Sequence, residues 1–363
     1  PYIKEGGKEN TLVVKLTNAE KSSRWYPGGG LYRPVKLILS GDDAIDTWGV
    51  CITTPKVSKS EAQVKADVKL RKGFSAGLGA EFAVLDDKGN VVAQSTGTFG
   101  TQGEAQATIT LKLPRLWSPE TPSLYTLRTT VKKDGKTVDE NLTRFGVRSF
   151  SFTKEHGFLF NGATRKIKGV CMHHDLGPLG AALNKAALIR QIKILKEMGC
   201  DGIRTSHNMP STMLTDLSES FDSWKEGKTQ NAYSRFYDEW WEKDLTNLIF
   251  CHRNHPSIIM WSIGNEIPEQ NSAAGAERCR NMVALCHKLD PTRPVTAGMN
   301  SDMGVLRSGF AQALDIFGIN YHIQKYEEII DSIPQGFILG AETASALSSR
   351  GVYKFPVRYQ YLP

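Results

Sequence analysis

The sequence predicts a multidomain protein: β-sandwich material followed by an α/β barrel of the TIM type that lacks some of its strands. Three observations carry this expectation. Apolar and polar residues alternate with period two over the first 150 residues; strand and helix patterns alternate from about residue 165; and polar or titratable residues recur where the apolar runs of the second half stop.

In chain order, TLVVKLTN, PVKLILS, AQVKADVKLRKG, AEFAVLDD, NVVAQS, AQATITLKLP and LYTLRTTVKK read as strands, with turn chemistry such as DDKGN and KKDGKT between several of them. Short strands at this spacing pair as antiparallel sandwiches. A break near Ser40 to Asp43 divides them, so that residues 1–40 close one sandwich and residues 41–150 form a more complete second one. PYIKEGGKEN reads as the middle of a domain.

Residues 151–363 form the barrel region. RKIKGVCMHH is expected as a buried strand, NKAALIRQIKILKEMG as an amphipathic helix ending at Gly199, and CDGIRTSHN as a strand. YDEWWEKDLTNLIFCHRN and AAGAERCRNMVALCHKLD are helices flanking the strand SIIMWSIGNE, and RPVTAGM, LDIFGINYH and GFILGAET follow as strands. Strands alternating with helices give a parallel sheet, and this many repeats in one direction close as a (β/α) barrel.

The bulk numbers exclude more than they assign. The 363 residues are 40% hydrophobic and 23% charged, and no stretch approaches the roughly 18 apolar residues of a membrane span. The net charge of +7 is spread among acidic residues, as in KVSKSEAQVKADVKLRKG, so a solvated surface is expected and no nucleic-acid or membrane partner. Cys51, Cys171, Cys200, Cys251, Cys279 and Cys286 show no CxxC or framework spacing and are expected as buried free thiols.

A barrel places its chemistry at the C-terminal ends of its strands. Those ends carry His173, His174 and Asp175; Arg204 and His207; Asn265 and Glu266; Asn320, Tyr321 and His322; and Glu342. Two glutamates on different strands are the pairing that glycoside hydrolysis needs, one carboxyl protonated for the leaving oxygen and one ionised to meet the oxocarbenium ion. Their surroundings differ, since WSIGN precedes Glu266 and FILGA precedes Glu342, and such asymmetry can separate two carboxyl groups in role. Arg204 is the natural partner for the ionised one. His173 and His207 are compatible with metal ligation, but with no third ligand at helical or hairpin spacing, hydrogen bonding to sugar hydroxyls is favoured. Tyr321 and Trp224 offer aromatic faces suited to sugar rings, although Trp224 reads equally well as core.

These residues resemble glycoside hydrolase family 2, above all its β-galactosidases from Bacteroidetes-type bacteria. SRWYPGGGLYR (23–33) resembles the close of the family's sugar-binding jelly roll, and WGVCITTPKVS (48–58) and LWSPETPSLYTL (116–127) resemble strands of its immunoglobulin-like domain. FGVRSF (145–150) is like the start of its barrel, and NHPSIIMWSIGNE (254–266) and ILGAETASALSSRG (338–351) resemble its two catalytic signatures. The resemblance implies a retaining exo-β-glycosidase with Glu266 as acid/base and Glu342 as nucleophile. It puts Asn265 on the sugar 2-hydroxyl, His173, Asp175 and His207 in the −1 subsite, and Arg204 and Tyr321 beside the nucleophile. Asp222 and Trp224 fall on the pocket wall.

There are departures. No third barrel strand is recognisable in DLSESFDSW, and RYQYLP ends the sequence shortly after the seventh strand, without an eighth. The intact motifs favour a retained part of a longer protein. The magnesium ion that some members carry draws partly on the third-strand region, where Glu219 is a poor substitute, so no cofactor is expected to be required. The substrate implied is a β-linked glycoside or oligosaccharide. HHDLG together with RWYPGGG tilts the resemblance towards galactosidase, with β-glucuronidase and β-mannosidase as rivals. The leading sandwiches disfavour an endo-acting glycanase. A carbohydrate-binding scaffold whose barrel cannot close is the reading from another class. Periplasmic or secreted location and a homo-oligomeric state are compatible with the resemblance, and nothing in the residues selects them.

Overall fold

The computed structural model describes residues 4, 7, 9–17, 19–20, 30, 35–73, 76–173, 176–207, 209–214, 231, 233–301 and 303–344. Seven strands of the first half make two sheets. β1 (Ile45–Val57), β2 (Glu61–Leu70), β3 (Leu78–Leu85), β4 (Val91–Thr98), β5 (Glu104–Lys112), β6 (Tyr125–Lys133) and β7 (Lys136–Phe145) arrange as β1-β2-β5 and β4-β3-β6-β7, with every neighbouring pair antiparallel. The period of two decides which side chains meet: Ala62, Val64, Ala66, Val68 and Leu70 of β2 face Leu78, Ala80, Phe82 and Val84 of β3 in one core. Each fully buried Leu or Phe there contributes roughly 1.5–3 kcal/mol of transfer free energy.

Two expectations fail in this half. The strands expected in TLVVKLTN and PVKLILS do not form, and Leu12, Leu37 and Leu39 are 80%, 80% and 82% exposed. A strand needs a neighbour for its backbone N–H and C=O groups, and none pairs with these stretches among the described residues. Conversely, a small antiparallel sheet of β8 (Phe150–Thr153), β9 (Gly157–Phe160) and β10 (Ala163–Thr164) was not expected. Its signal was available: Asn161 and Gly162 join β9 to β10 with φ of 49° and 80°, the two-residue Asn-Gly turn of hairpins. Phe152 of this sheet stacks on Phe158 and on Phe337, ahead of the last barrel strand.

The second half contains two parallel sheets. β11 (Gly169–Met172) pairs with β12 (Gly202–Thr205), and β13 (Trp261–Asn265), β14 (Val295–Met299), β15 (Ile316–Asn320) and β16 (Ile338–Glu342) follow in order. Helices α1 (Lys185–Glu197), α2 (Tyr237–His252), α3 (Ala273–Leu289), α4 (Met303–Ser308) and α5 (Tyr326–Ile330) alternate with the strands. Asn184 caps α1 through a bond from Ala187 N, and Ser272 caps α3 through one from Gly275 N. β13, β14 and β15 are buried at every residue, as parallel strands covered on both faces must be.

β11 departs from the buried strand that was expected: Gly169 and Cys171 are exposed, because among the described residues its only paired neighbour is β12. On its other side the Cys171 thiol donates to Ala341 O of β16 at 3.1 Å, so the first and last described barrel strands touch directly. Six parallel strands thus make an incomplete TIM-type barrel among the described residues. The places expected for a third and an eighth strand, residues 215–230 and those beyond 344, lie outside them.

Sandwich and barrel are joined by the loop before β13. Asn254 Oδ1 accepts from Ile52 N and its Nδ2 donates to Val50 O, both at 2.8 Å. Arg148 donates through Nε to Pro256 O and through Nη2 to Ile258 O.

Candidate active site

The polar layer at the C-terminal ends of the strands is built by backbone as much as by side chains. Glu266 follows directly on buried β13, adopts a left-handed φ of 49°, and donates from its N–H to Gly298 O of β14 at 2.6 Å. Tyr321 and His322, just past β15, are left-handed too, with φ of 58° and 48°, and Tyr321 N donates to Glu342 O. Non-glycine residues in this region are strained and tend to collect where a side chain must be aimed.

Glu342, at the end of β16, is held on both oxygens. Arg204 Nη1 donates to its Oε1 at 2.8 Å and Tyr321 Oη to its Oε2 at 2.8 Å, while His207 Nε2 lies 3.4 Å from Oε1. The Arg204 and Glu342 side chains are each 14% exposed, so the ion pair is largely withdrawn from water and less screened than a surface pair. The His207 ring lies 5.2 Å from that of His173, edge to face.

Glu266 has a different neighbourhood. Asn320, fully buried at the end of β15, donates through Nδ2 to Glu266 Oε1 at 3.1 Å and to Asn265 Oδ1 at 2.7 Å. Asn265 Oδ1 also accepts from Arg204 Nη2 at 3.0 Å, and its Nδ2 lies 3.4 Å from His207 Nε2. One carboxylate therefore meets a cation and a phenol, the other a neutral amide. A continuous chain of hydrogen bonds runs between them through Arg204, Asn265 and Asn320.

The layer needs a residue without a side chain beneath it. A Cβ at Gly298 would lie 2.6 Å from Asn265 Oδ1, 2.7 Å from Arg204 Nη2 and 2.8 Å from Asn320 Oδ1. The glycine in TAGM is thus what lets three polar side chains converge over β14.

Of the residues singled out from sequence, Arg204, His207, Asn265, Glu266, Tyr321 and Glu342 come together in this network, with His173 against His207. Asp175, Asp222 and Trp224, like Glu219, lie outside the described residues. Sequence reasoning named Asn320 only as a strand end and missed Gly298. It also expected Cys171 to be buried, whereas the thiol is exposed, 3.8 Å from Arg204 Nη1; of the six free cysteines only Cys279 and Cys286 are buried. No group of three His, Cys, Asp or Glu side chains fit to hold a metal ion occurs among the described residues.

A carboxylate fixed by cation and phenol, beside a second carboxyl fixed by an amide, is an arrangement suited to nucleophilic attack paired with proton transfer. Known proteins share the frame that holds it. The model of glycosyl hydrolases family 2 matches residues 50–148, and that of the glycosyl hydrolases family 2 TIM barrel domain matches residues 152–333. The beta-galactosidase BoGH2A of Bacteroides ovatus is 38% identical over 98% of this chain and 47% of its own length. A putative beta-glucuronidase of Formosa agariphila is 32% identical over 97% of this chain and 33% of its own length. The crystal structure of a glycosyl hydrolase family 2 member from Bacteroides cellulosilyticus superposes with a TM-score of 0.83 at 34% identity, covering 87% of this chain and 43% of that one. The chain spans half or less of the length of these relatives. The chain belongs to glycosyl hydrolases family 2.

Proposed function

We propose that the protein is a retaining exo-β-glycosidase whose substrates are β-galactosides. The observation that carries this reading is the paired carboxyl arrangement, with Glu342 fixed by Arg204 and Tyr321, and Glu266 fixed by Asn320. In the first half-reaction Glu266 gives its proton to the glycosidic oxygen while Glu342 attacks the anomeric carbon. The bond to the leaving group breaks, and a covalent glycosyl-enzyme forms. In the second, Glu266, now ionised, takes a proton from water as the water attacks the same carbon, and Glu342 is released as a carboxylate.

Asn265 takes the sugar 2-hydroxyl, and His173 and His207 hold further hydroxyls of the −1 sugar; Asp175, Asp222 and Trp224 complete the pocket in this reading. No step is assigned to a cofactor. The galactosidase name of the 38% identical relative favours β-galactosides. The β-glucuronidase name of the 32% identical one supports a second reading, in which the same two glutamates act on β-glucuronides.

The test is hydrolysis of aryl β-galactoside, β-glucuronide, β-mannoside and β-glucoside by the protein and by Glu342→Gln, with the first-formed anomer read by proton NMR. Turnover of the galactoside with retention, lost in the variant, is expected. Folded protein that turns over none of the four would overturn the reading in favour of a binding scaffold, and inversion would overturn the assigned role of Glu342.

A further inference from the structure

We propose that Asn320 is the positioning residue of Glu266: its N–H occupies Glu266 Oε1, so that when the carboxyl is protonated the transferable proton sits on Oε2. The inference rests on the acid/base role given to Glu266 above.

The orientation of the Asn320 amide follows from its neighbours. Asn265 Oδ1 accepts from Arg204 Nη2, and a guanidinium can only donate. The atom of Asn320 that faces Asn265 Oδ1 at 2.7 Å must therefore be the nitrogen. That same nitrogen lies 3.1 Å from Glu266 Oε1. A flipped amide would set oxygen against oxygen at both contacts. Full burial at the end of β15, above Gly298, keeps water from replacing the donor.

A donor to a carboxylate oxygen favours the charged form, and protonating that oxygen would forfeit the bond. The proton consequently resides on the other oxygen. Asn320 also ties Glu266 to the chain that ends on Glu342 through Asn265 and Arg204, so the two carboxyl groups are placed by one set of bonds.

The test reads Glu266 directly, by 13C NMR titration of protein labelled at the glutamate side-chain carboxyls, its resonance assigned by its absence in Glu266→Gln. Removing the donor in Asn320→Ala is expected to move the Glu266 midpoint up by about one pH unit, the size of one charge-assisted hydrogen bond. Asn320→Asp has the same shape but supplies a like charge, and should move the midpoint up further. The basic limb of kcat/KM on an aryl glycoside should follow in the same direction. A residue that merely packs would leave the midpoint in place in Asn320→Ala, and an unmoved midpoint in that variant, shown to be folded, overturns the proposal. A moved midpoint in a protein without hydrolytic activity would leave this inference standing and sink the glycosidase reading; turnover with an unmoved midpoint would do the reverse.

Discussion

Gly298→Ala tests whether the polar layer is as tightly set as its geometry implies. The added methyl would lie 2.6, 2.7 and 2.8 Å from Asn265 Oδ1, Arg204 Nη2 and Asn320 Oδ1, where ordinary contact begins near 3.4 Å. The three side chains must therefore retreat by about 0.6–0.8 Å, and Arg204 cannot do so without disturbing its 2.8 Å bond to Glu342. Misplacement on this scale costs on the order of 100-fold in rate, and overpacking costs about 1–3 kcal/mol of stability. Gly298 has no left-handed φ, so the penalty comes from contact and not from backbone conformation. Gly264→Ala is the control. It lies two residues before Glu266, yet its Cβ would meet only Ile267, at 3.5 Å and beyond, and kcat/KM should stay within about twofold of the parent. The assay is kcat/KM on the aryl glycoside the parent hydrolyses, with thermal melting alongside. Parent-like rates from Gly298→Ala would show that the layer tolerates the methyl, and equal losses from both variants would show that the loss does not arise from the contacts above Gly298.

Two further outcomes follow from other parts of the structure. Iodoacetamide should label the exposed Cys171 ahead of Cys279 and Cys286, whose thiols burial pushes up, that of Cys279 to about 12. The adduct, 3.8 Å from Arg204 Nη1 before modification, should lower turnover at least about tenfold, while Cys171→Ser keeps activity under the same treatment; peptide mapping showing labelled Cys171 in fully active protein would contradict this. Asp290 accepts from Trp261 Nε1 and Arg293 Nη1; burial works to raise its carboxyl, but Arg293 and Thr292 outweigh it and hold the group below its ordinary value. A depressed folded value means the stability is present above the unfolded value, near about 4, and is lost as pH falls through the folded one. Asp290→Asn should therefore cost about 3–5 kcal/mol near neutrality, since Arg293 and the buried Arg148 lose a carboxylate, and should flatten the acid side of melting against pH; an unchanged acid limb would contradict the assignment.

Much of this protein was legible in its residues because the signals were local. Period two with Asp134-Gly135 between Lys133 and Lys136 specifies a hairpin, and the run before Gly264 specifies a buried parallel strand that delivers Glu266. The expectation failed where the deciding contact was remote: TLVVKLTN has strand composition but no pairing partner among the described residues, and the buried-strand pattern of β11 says nothing of what covers it. By itself the sequence determined the period of each segment, the order of sandwich and barrel, and the two glutamates at strand ends. That Asn320 donates to Glu266, that Gly298 clears the space, and that Cys171 touches both Arg204 and the strand bearing Glu342 emerges when the chain folds. These contacts join residues 22 to 170 positions apart, and no local pattern encodes which side chains a closing barrel will bring within 4 Å.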